Sequence, residues 1–343
     1  MIDASAIARR RHFAALGALL LANVFWGLSF PLIKATRLAH EAIDPSAGGW
    51  FVTAMTVAPR FVFAVVVIAL GLGWRAGSVS GAWSGIGRRE WRQGIILGLF
   101  ASGGMLFQND GLHYTHASTS AFLTQLYAVL IPLWVAARMR RWPSSVVWVA
   151  IVLVLLGTAV LARLDPREFH LGRGEAETLL SSLFFAGQIL VLSRPDFAAN
   201  RALPITFVMF ATESVVFVAM AGILAPDAAA LVLPFRSGAW IGCTVVLTVF
   251  CTLGAFMLMN TFQPRITATE AGLIYCVEPV FASVMALFLP ALFSAWAAVN
   301  YPNERLTWHL LIGGGLVTLA NVLIQLNPPP KTPAPIKPAP SPG

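Results

Sequence analysis

Two glutamates stand in the middle of apolar runs: Glu213 in MFATESVVFV and Glu278 in IYCVEPVFAS. Arg60 lies inside a third such run, and Asp110 falls about one turn from the end of a fourth. An ionisable group within hydrocarbon costs about 2.5–3.5 kcal/mol on insertion scales, so each needs a partner or a wet cavity. In a solute pathway these groups bind charged ends of the solute or carry protons. In a structural role they pair with one another and pin helix packing; a rim or snorkelling position also explains Arg60 and Asp110. Glu278 has the most informative neighbour. Pro279 supplies no N–H, so the carbonyl of Tyr275 loses its helical partner and must find another donor or line water. An acid, a phenol and a free carbonyl then share one turn. Pro31 frees the carbonyl of Gly27 in the same way, beside Trp26 and Ser29, and Pro132 frees that of Ala128. The alternative is that these prolines kink helices for packing alone.

The remaining polar candidates are sparse. Gln108, Asn109 and Asp110 form a dense set that could coordinate zwitterionic or hydroxylated solutes, or could be a solvated helix end. Asn23, Gln125, Gln188 and Asn260 are single polar residues in apolar runs, as suited to gluing helices together as to touching a solute. The cavity candidates are therefore Trp26, Asn109, Asp110, Glu213, Asn260, Tyr275 and Glu278. No catalytic residue, cofactor site or metal site is expected. Asp110, His113 and His116 drift round a helix, and no HExxH occurs. Cys243, Cys251 and Cys276 are odd in number, all inside apolar runs, and form no CxxC or Cys/His pair, which argues against disulfides and zinc. Gly94, Gly98, Ser102 and the Gly313–Gly315 run have the small-residue spacing of close helix packing.

These residues sit in ten apolar stretches, at roughly 14–34, 50–73, 93–113, 117–138, 144–163, 176–194, 203–224, 238–261, 267–290 and 307–326, each long enough for the ~20 residues a membrane-crossing helix needs. Mean hydropathy of +0.75 agrees, with 57% hydrophobic and only 11% charged residues. The first stretch is too long for a signal-peptide core and no clean small-x-small cleavage site follows it. Trp50, Trp74, Trp83, Trp91, Trp142, Trp240 and Trp308 fall near stretch ends, as interfacial anchors do; Trp26 does not.

The net charge of +8 reflects topology, not a nucleic-acid partner, since no basic residues interleave with base-stacking aromatics. With a cytoplasmic N-terminus, fifteen of the 23 basic residues lie inside, seven outside, and Arg60 in the second span. That positive-inside bias predicts both termini in the cytoplasm. The polar connection 164–175 divides the spans five and five, which predicts two halves of opposite orientation, residues 1–164 and 165–326. The substrate site is then expected where the halves meet. FQNDGLHYTHASTSAFL, from Phe107, lies without gaps on LMNTFQPRITATEAGLI, from Leu258, setting Asn109 on Asn260, Ala117 on Ala268 and Ser118 on Thr269. The tail 327–343 carries eight prolines and reads as a disordered, polyproline-like cytoplasmic end.

FWGLSF (25–30), YTHASTSAFLTQLYAVLIPL (114–133), ATEAGLIYCVEPVFASVMAL (268–287) and Asn303-Glu304-Arg305-Leu306 before Gly313–Gly315 resemble, in order and spacing, motifs of the drug/metabolite transporter superfamily, specifically its EamA-type members. The resemblance covers the chain to about Gln325. It implies an all-α integral membrane fold of ten transmembrane helices in two inverted five-helix repeats, and export of small organic metabolites such as amino acids across the inner (plasma) membrane. There are departures. Met139-Arg140-Arg141-Trp142 stands where the family usually places an acid, and FSAWAAVNY (293–301) reads as an interfacial extension of the ninth helix.

The sequence thus favours a secondary transporter working by alternating access, embedded in lipid, with a small-molecule substrate. No GxxxxGK[ST] loop exists for direct ATP drive. Proton coupling is open through Glu278 or Glu213, as is uncoupled exchange, and oligomeric state is not legible. The competing classes are a scaffold or channel subunit and a membrane-embedded lipid-modifying enzyme or protease. The enzyme would need a nucleophile–base pair or metal ligands; neither a GxSxG nor facing aspartates occur.

Overall fold

The computed structural model describes residues 4–76, 85–140, 142–161, 171–192, 201–263 and 274–326. The tail 327–343, most of the 164–175 connection and Ala268 and Thr269 of the repeat register lie outside these residues. All described regular structure is helical: α1 Ala4–Ile43, α2 Gly49–Ala76, α3 Arg88–Tyr114, α4 Ala117–Thr124, α5 Tyr127–Arg138, α6 Ser145–Leu161, α7 Arg173–Leu192, α8 Ala202–Leu224, α9 Ala228–Val232, α10 Gly238–Val246, α11 Ala255–Phe262, α12 Glu278–Ala297 and α13 Trp308–Leu326. A 3₁₀ turn, Leu233–Arg236, follows α9, and a π-helical stretch, Leu247–Gly254, joins α10 to α11.

Six described segments are long and apolar enough to cross a membrane: His12–Ile43, Gly49–Trp74, Ala117–Arg138, Ala202–Leu224, Gly238–Phe262 and Glu278–Ala297; Ser145–Leu161 and Trp308–Ile324 are shorter apolar helices. The protein is an all-α, multi-pass membrane protein. Helices α3 and α7 fall below this apolar level because their ends are polar: α3 opens on Arg88-Arg89-Glu90 and closes on Gln108-Asn109-Asp110, and α7 opens on Arg173, Glu175 and Glu177.

Three local features depart from the sequence reading. Helix α1 runs to Ile43, well past the expected end near residue 34, because Arg37 and His40 are buried against neighbouring helices. The fourth stretch is two half-helices broken at Gln125-Leu126, ahead of Pro132. The ninth stretch breaks at Cys276-Val277, so Glu278 and Pro279 open α12. Pro279 therefore lies in a first turn, where its missing N–H costs nothing, and the expected free carbonyl within a continuous helix is replaced by a helix start. The expected interfacial extension is partly helical: α12 runs to Ala297, Ala298 turns into the left-handed region (φ 52°), and the backbone of Tyr301 folds back onto Ser294.

The two breaks share one hydrogen-bond pattern. In the first, the amide of Leu126 donates to Leu123 O, and those of Val129 and Leu130 to Leu126 O; in the second, Val277 donates to Ile274 O, and Val280 and Phe281 to Val277 O. The ungapped register that sets Asn109 on Asn260 also sets Leu126 on Val277, so these three bonds coincide; Ala128, which donates to Gln125 O, falls on Pro279, which has no N–H. Packing repeats in the same way. Helix α3 packs on α7 as the α10–α11 rod packs on α1; α3 packs on α8 as that rod packs on α2; α1 packs on α12 as α7 packs on α4 and α5. The pairs α2/α8, α6/α13 and α4/α12 join corresponding helices of the two halves.

Close approaches decide two of these contacts. A Cβ on Gly27 would lie 2.7 Å from Phe281 Cβ and 2.9 Å from Ala282 N, so α1 meets α12 at backbone distance. Gly157 and Gly313 do the same for α6 and α13, each placing the other's carbonyl oxygen 2.8 Å from where a Cβ would be. Without a hydrophobic drive between helices in lipid, such contacts are how the bundle gains dispersion energy.

Candidate solute site

Trp26, Tyr275 and Glu278, three of the seven sequence candidates, lie close together. Trp26 on α1 meets Phe256 on α11 edge-to-face, ring centroids 5.6 Å apart, and Tyr275 at 5.9 Å. Phe256 in turn meets Phe210 at 5.5 Å. The Tyr275 hydroxyl donates to Gln263 Oε1 (2.8 Å), which fixes the ring's direction. Glu278 begins α12 and lies in electrostatic reach of both Tyr275 and Tyr127, the first residue of α5. Tyr127 occupies in the first break the register that Glu278 occupies in the second. Trp26, Tyr127, Gln263, Tyr275 and Glu278 all keep part of their surface accessible although they sit deep among packed helices.

The other candidates are held elsewhere. Asp110 is fully buried in an ion network at the end of the bundle where α1 finishes. Its Oδ1 accepts from Arg37 Nη1 (3.1 Å) and Thr53 Oγ1 (2.8 Å), and its Oδ2 from Arg173 Nη2 (2.5 Å). Arg37 also bonds Glu41 (2.9 Å), and Arg173 bonds Tyr114 OH (2.8 Å) and Glu177 (2.7 Å) with its guanidinium 4.3 Å over the Tyr114 ring. This network ties α1, α2, α3 and α7 together and removes Asp110 from the central group; its donors are already spoken for. Asn109 donates to Met105 O (2.7 Å) and is 2% exposed, so it does not face the central space. Asn260 donates to Thr206 Oγ1 (2.5 Å) and joins α11 to α8.

Glu213 is sealed in α8, neither carboxylate oxygen having a hydrogen-bond partner. Its charged neighbour is Arg60. Each stands at the same step from the start of its helix, Gly49 for α2 and Ala202 for α8. Arg60 is directed to the π-helical stretch: Nε donates to Thr252 Oγ1 and Nη2 to Cys251 O (3.4 Å). A π-bulge leaves carbonyls without their usual partners, which accounts for a buried guanidinium docking there.

Two further polar features lie at the rims. A cleft of about 300 Å³ is lined by Lys34, His113, Thr115, His116 and Glu175; Lys34 Nζ donates to Thr115 O (2.6 Å) and Thr115 Oγ1 to Glu175 Oε1 (2.5 Å). Glu304 reaches across to cap α4, accepting from Ala117 N (2.7 Å) and from the Ser118 hydroxyl. At the opposite end Arg201 bonds both oxygens of Glu90 (2.9 and 2.7 Å), and that guanidinium holds the Glu90 carboxyl below its ordinary range. Among the described residues no group of three or more His, Cys, Asp or Glu is placed to hold a metal ion.

Sequence reasoning missed Tyr127, Phe256 and Gln263. Tyr127 carried a usable signal, since the Asn109/Asn260 register carried forward sets it on Glu278. Phe256 and Gln263 had none: an aromatic and an amide in an apolar run look like packing.

Residues 13–163 match the EamA-like transporter family. A protein of Archaeoglobus fulgidus described as an uncharacterized transporter is 25% identical over 323 residues, covering 92% of this chain and 87% of that protein. A solved crystal structure of a protein 18% identical superposes with a TM-score of 0.53, covering 89% of this chain and 96% of that one; that likeness concerns the fold alone. Both the family and the relative are described as transporters.

Proposed function

We propose that the protein is a secondary transporter that exports small organic metabolites across the inner (plasma) membrane by alternating access between two inverted five-helix repeats, residues 1–164 and 165–326. The observation that carries this reading is the paired breaks, at Gln125-Leu126 and Cys276-Val277, with the part-exposed Glu278, Tyr275 and Trp26 beside them. Discontinuous helices at a repeat interface are where secondary transporters hold their substrates. The shared hydrogen-bond register of the breaks and the mirrored helix contacts support the repeat. Ten spans with both termini cytoplasmic follow from the basic-residue bias. Amines, amino acids and nucleosides are the solutes whose size and polar groups suit aromatic walls and one carboxylate. Glu278 and Glu213 are the groups through which protons would couple to transport. A transporter accounts for an unpaired acid in this position; a scaffold needs none.

Counterflow tests the reading. Purified protein in liposomes preloaded with unlabelled amine, amino acid or nucleoside should accumulate the matching labelled solute, and protein-free liposomes should not. Turnover of a lipid or peptide without solute flux would overturn it. For topology, a cysteine introduced in the 165–175 connection should react with impermeant maleimide in intact cells; protection there, with labelling of the tail, would refute the orientation.

A further inference from the structure

We infer that the central site selects organic monocations, aliphatic or aromatic amines carrying an ammonium and no carboxylate, over zwitterions and anions. This rests on the reading that Trp26, Tyr275 and Glu278 line the solute path.

The charge count of the site is one-sided. Glu278 is the carboxylate at the second break, and among the described residues it forms no ion pair. The nearest aromatic groups, Trp26, Tyr275 and Tyr127, offer ring faces, which attract a desolvated cation. The Tyr275 hydroxyl spends its hydrogen on Gln263, leaving its oxygen lone pairs toward a donor such as an ammonium.

A zwitterion or an anion would be matched best by a cationic donor for its carboxylate, and the described cations that reach into the bundle are committed; Gln125 Nε2, buried at the first break without a hydrogen-bond partner, is a neutral donor that remains. Arg60 is held by Thr252 and Cys251 and is 1% exposed. Lys34 is held by Thr115, and Arg37 and Arg173 by Asp110. In many transporters the bared amides of a broken helix bind a substrate carboxylate. Here both breaks close on themselves: the amides of Leu126, Val129 and Leu130, and of Val277, Val280 and Phe281, all donate to carbonyls of their own turn, and Pro279 has none. The breaks therefore offer an anion the neutral Gln125 amide and no described cation, while an ammonium finds a carboxylate and aromatic rings.

A charge-matched series on one skeleton tests this. Phenethylamine, phenylalanine and 3-phenylpropionate are titrated calorimetrically at pH 7 against purified protein and against the Glu278→Gln and Trp26→Ala variants, with each variant's Tm measured in parallel. Phenethylamine should bind at least ten-fold tighter than phenylalanine, and 3-phenylpropionate should not bind. Glu278→Gln should weaken phenethylamine at least ten-fold with Tm unchanged, and Trp26→Ala should weaken it several-fold. If phenylalanine or 3-phenylpropionate binds as well as the amine, and Glu278→Gln still changes binding, the cation preference is wrong while the central site stands. If phenethylamine binds equally to wild type and Glu278→Gln, the central site itself is wrong. Binding of none of the three by wild type also overturns the preference.

Discussion

Asp110 and Glu278 are both acids on helices of this bundle, and their surroundings are opposite. Asp110 is fully buried and accepts from two arginines and a threonine drawn from three other helices. Glu278 is part-exposed, opens a helix at a break, is flanked by phenols and an indole, and forms no ion pair among the described residues. The first arrangement satisfies a charge so that helices stay together. The second leaves the acid outside any described ion pair, as the proposed solute site requires. An intramembrane acid is thus a site only when its own protein has not already answered it.

Removing charge from each acid in turn separates the two roles. The largest loss of stability is expected at Asp110. Asp110→Ala removes the acceptor shared by Arg37, Thr53 and Arg173 and leaves Arg37, 3% exposed, with the part-exposed Glu41 as its one described carboxylate. Breaking a buried pair by removing one partner costs about 3–5 kcal/mol. Thermal unfolding in detergent should show a large fall in Tm, whereas Glu278→Gln should leave Tm near wild type. A wild-type Tm for Asp110→Ala would erase the distinction.

A mid-sized effect is expected where α1 meets α12. Gly27→Ala drives a methyl to 2.7 Å from Phe281 Cβ and 2.9 Å from a backbone nitrogen, and overpacking of this kind costs about 1–3 kcal/mol. Because Trp26 and Glu278 are carried on these same two helices, solute affinity should fall together with Tm. Glycine at position 17 of the same helix has nothing within 4 Å of its would-be Cβ, so Gly17→Ala is the control and should change neither.

The smallest effect belongs to the Glu90–Arg201 pair. Arg201 is 60% exposed, so the pair is screened and contributes under about 1 kcal/mol. Since Arg201 holds the folded-state Glu90 carboxyl low, the contribution is complete above the ordinary carboxylate range and is lost as pH falls through the lowered value. The Tm difference between wild type and Arg201→Ala should be small at pH 7 and vanish in strong acid; a difference that grows on acidification would contradict this.

Much of the helical architecture was legible because hydrocarbon imposes its own period: runs of about 20 apolar residues announce helices. The helix breaks were not legible in place. Pro132 and Pro279 drew attention to themselves, yet the first break falls at Gln125-Leu126, ahead of Pro132, and Pro279 starts a helix instead of interrupting one. Local sequence does not reveal that a turn will tighten to i, i+3 bonds when the chain must cross a partner helix. For the proposed site, Trp26, Tyr275 and Glu278 drew attention because each was out of place by type. Asp110 was equally out of place, and its partners Arg37 and Arg173 are far apart in sequence, so nothing local announced that they would meet it.

The central claim is that Glu278 serves the solute and Asp110 serves the fold. Its most direct test is transport by Glu278→Gln in proteoliposomes, assayed from pH 6 to 8 beside wild type with insertion and Tm measured on the same preparations. The account predicts normal insertion, unchanged Tm and loss of transport across the range. Wild-type transport by correctly inserted Glu278→Gln would contradict it.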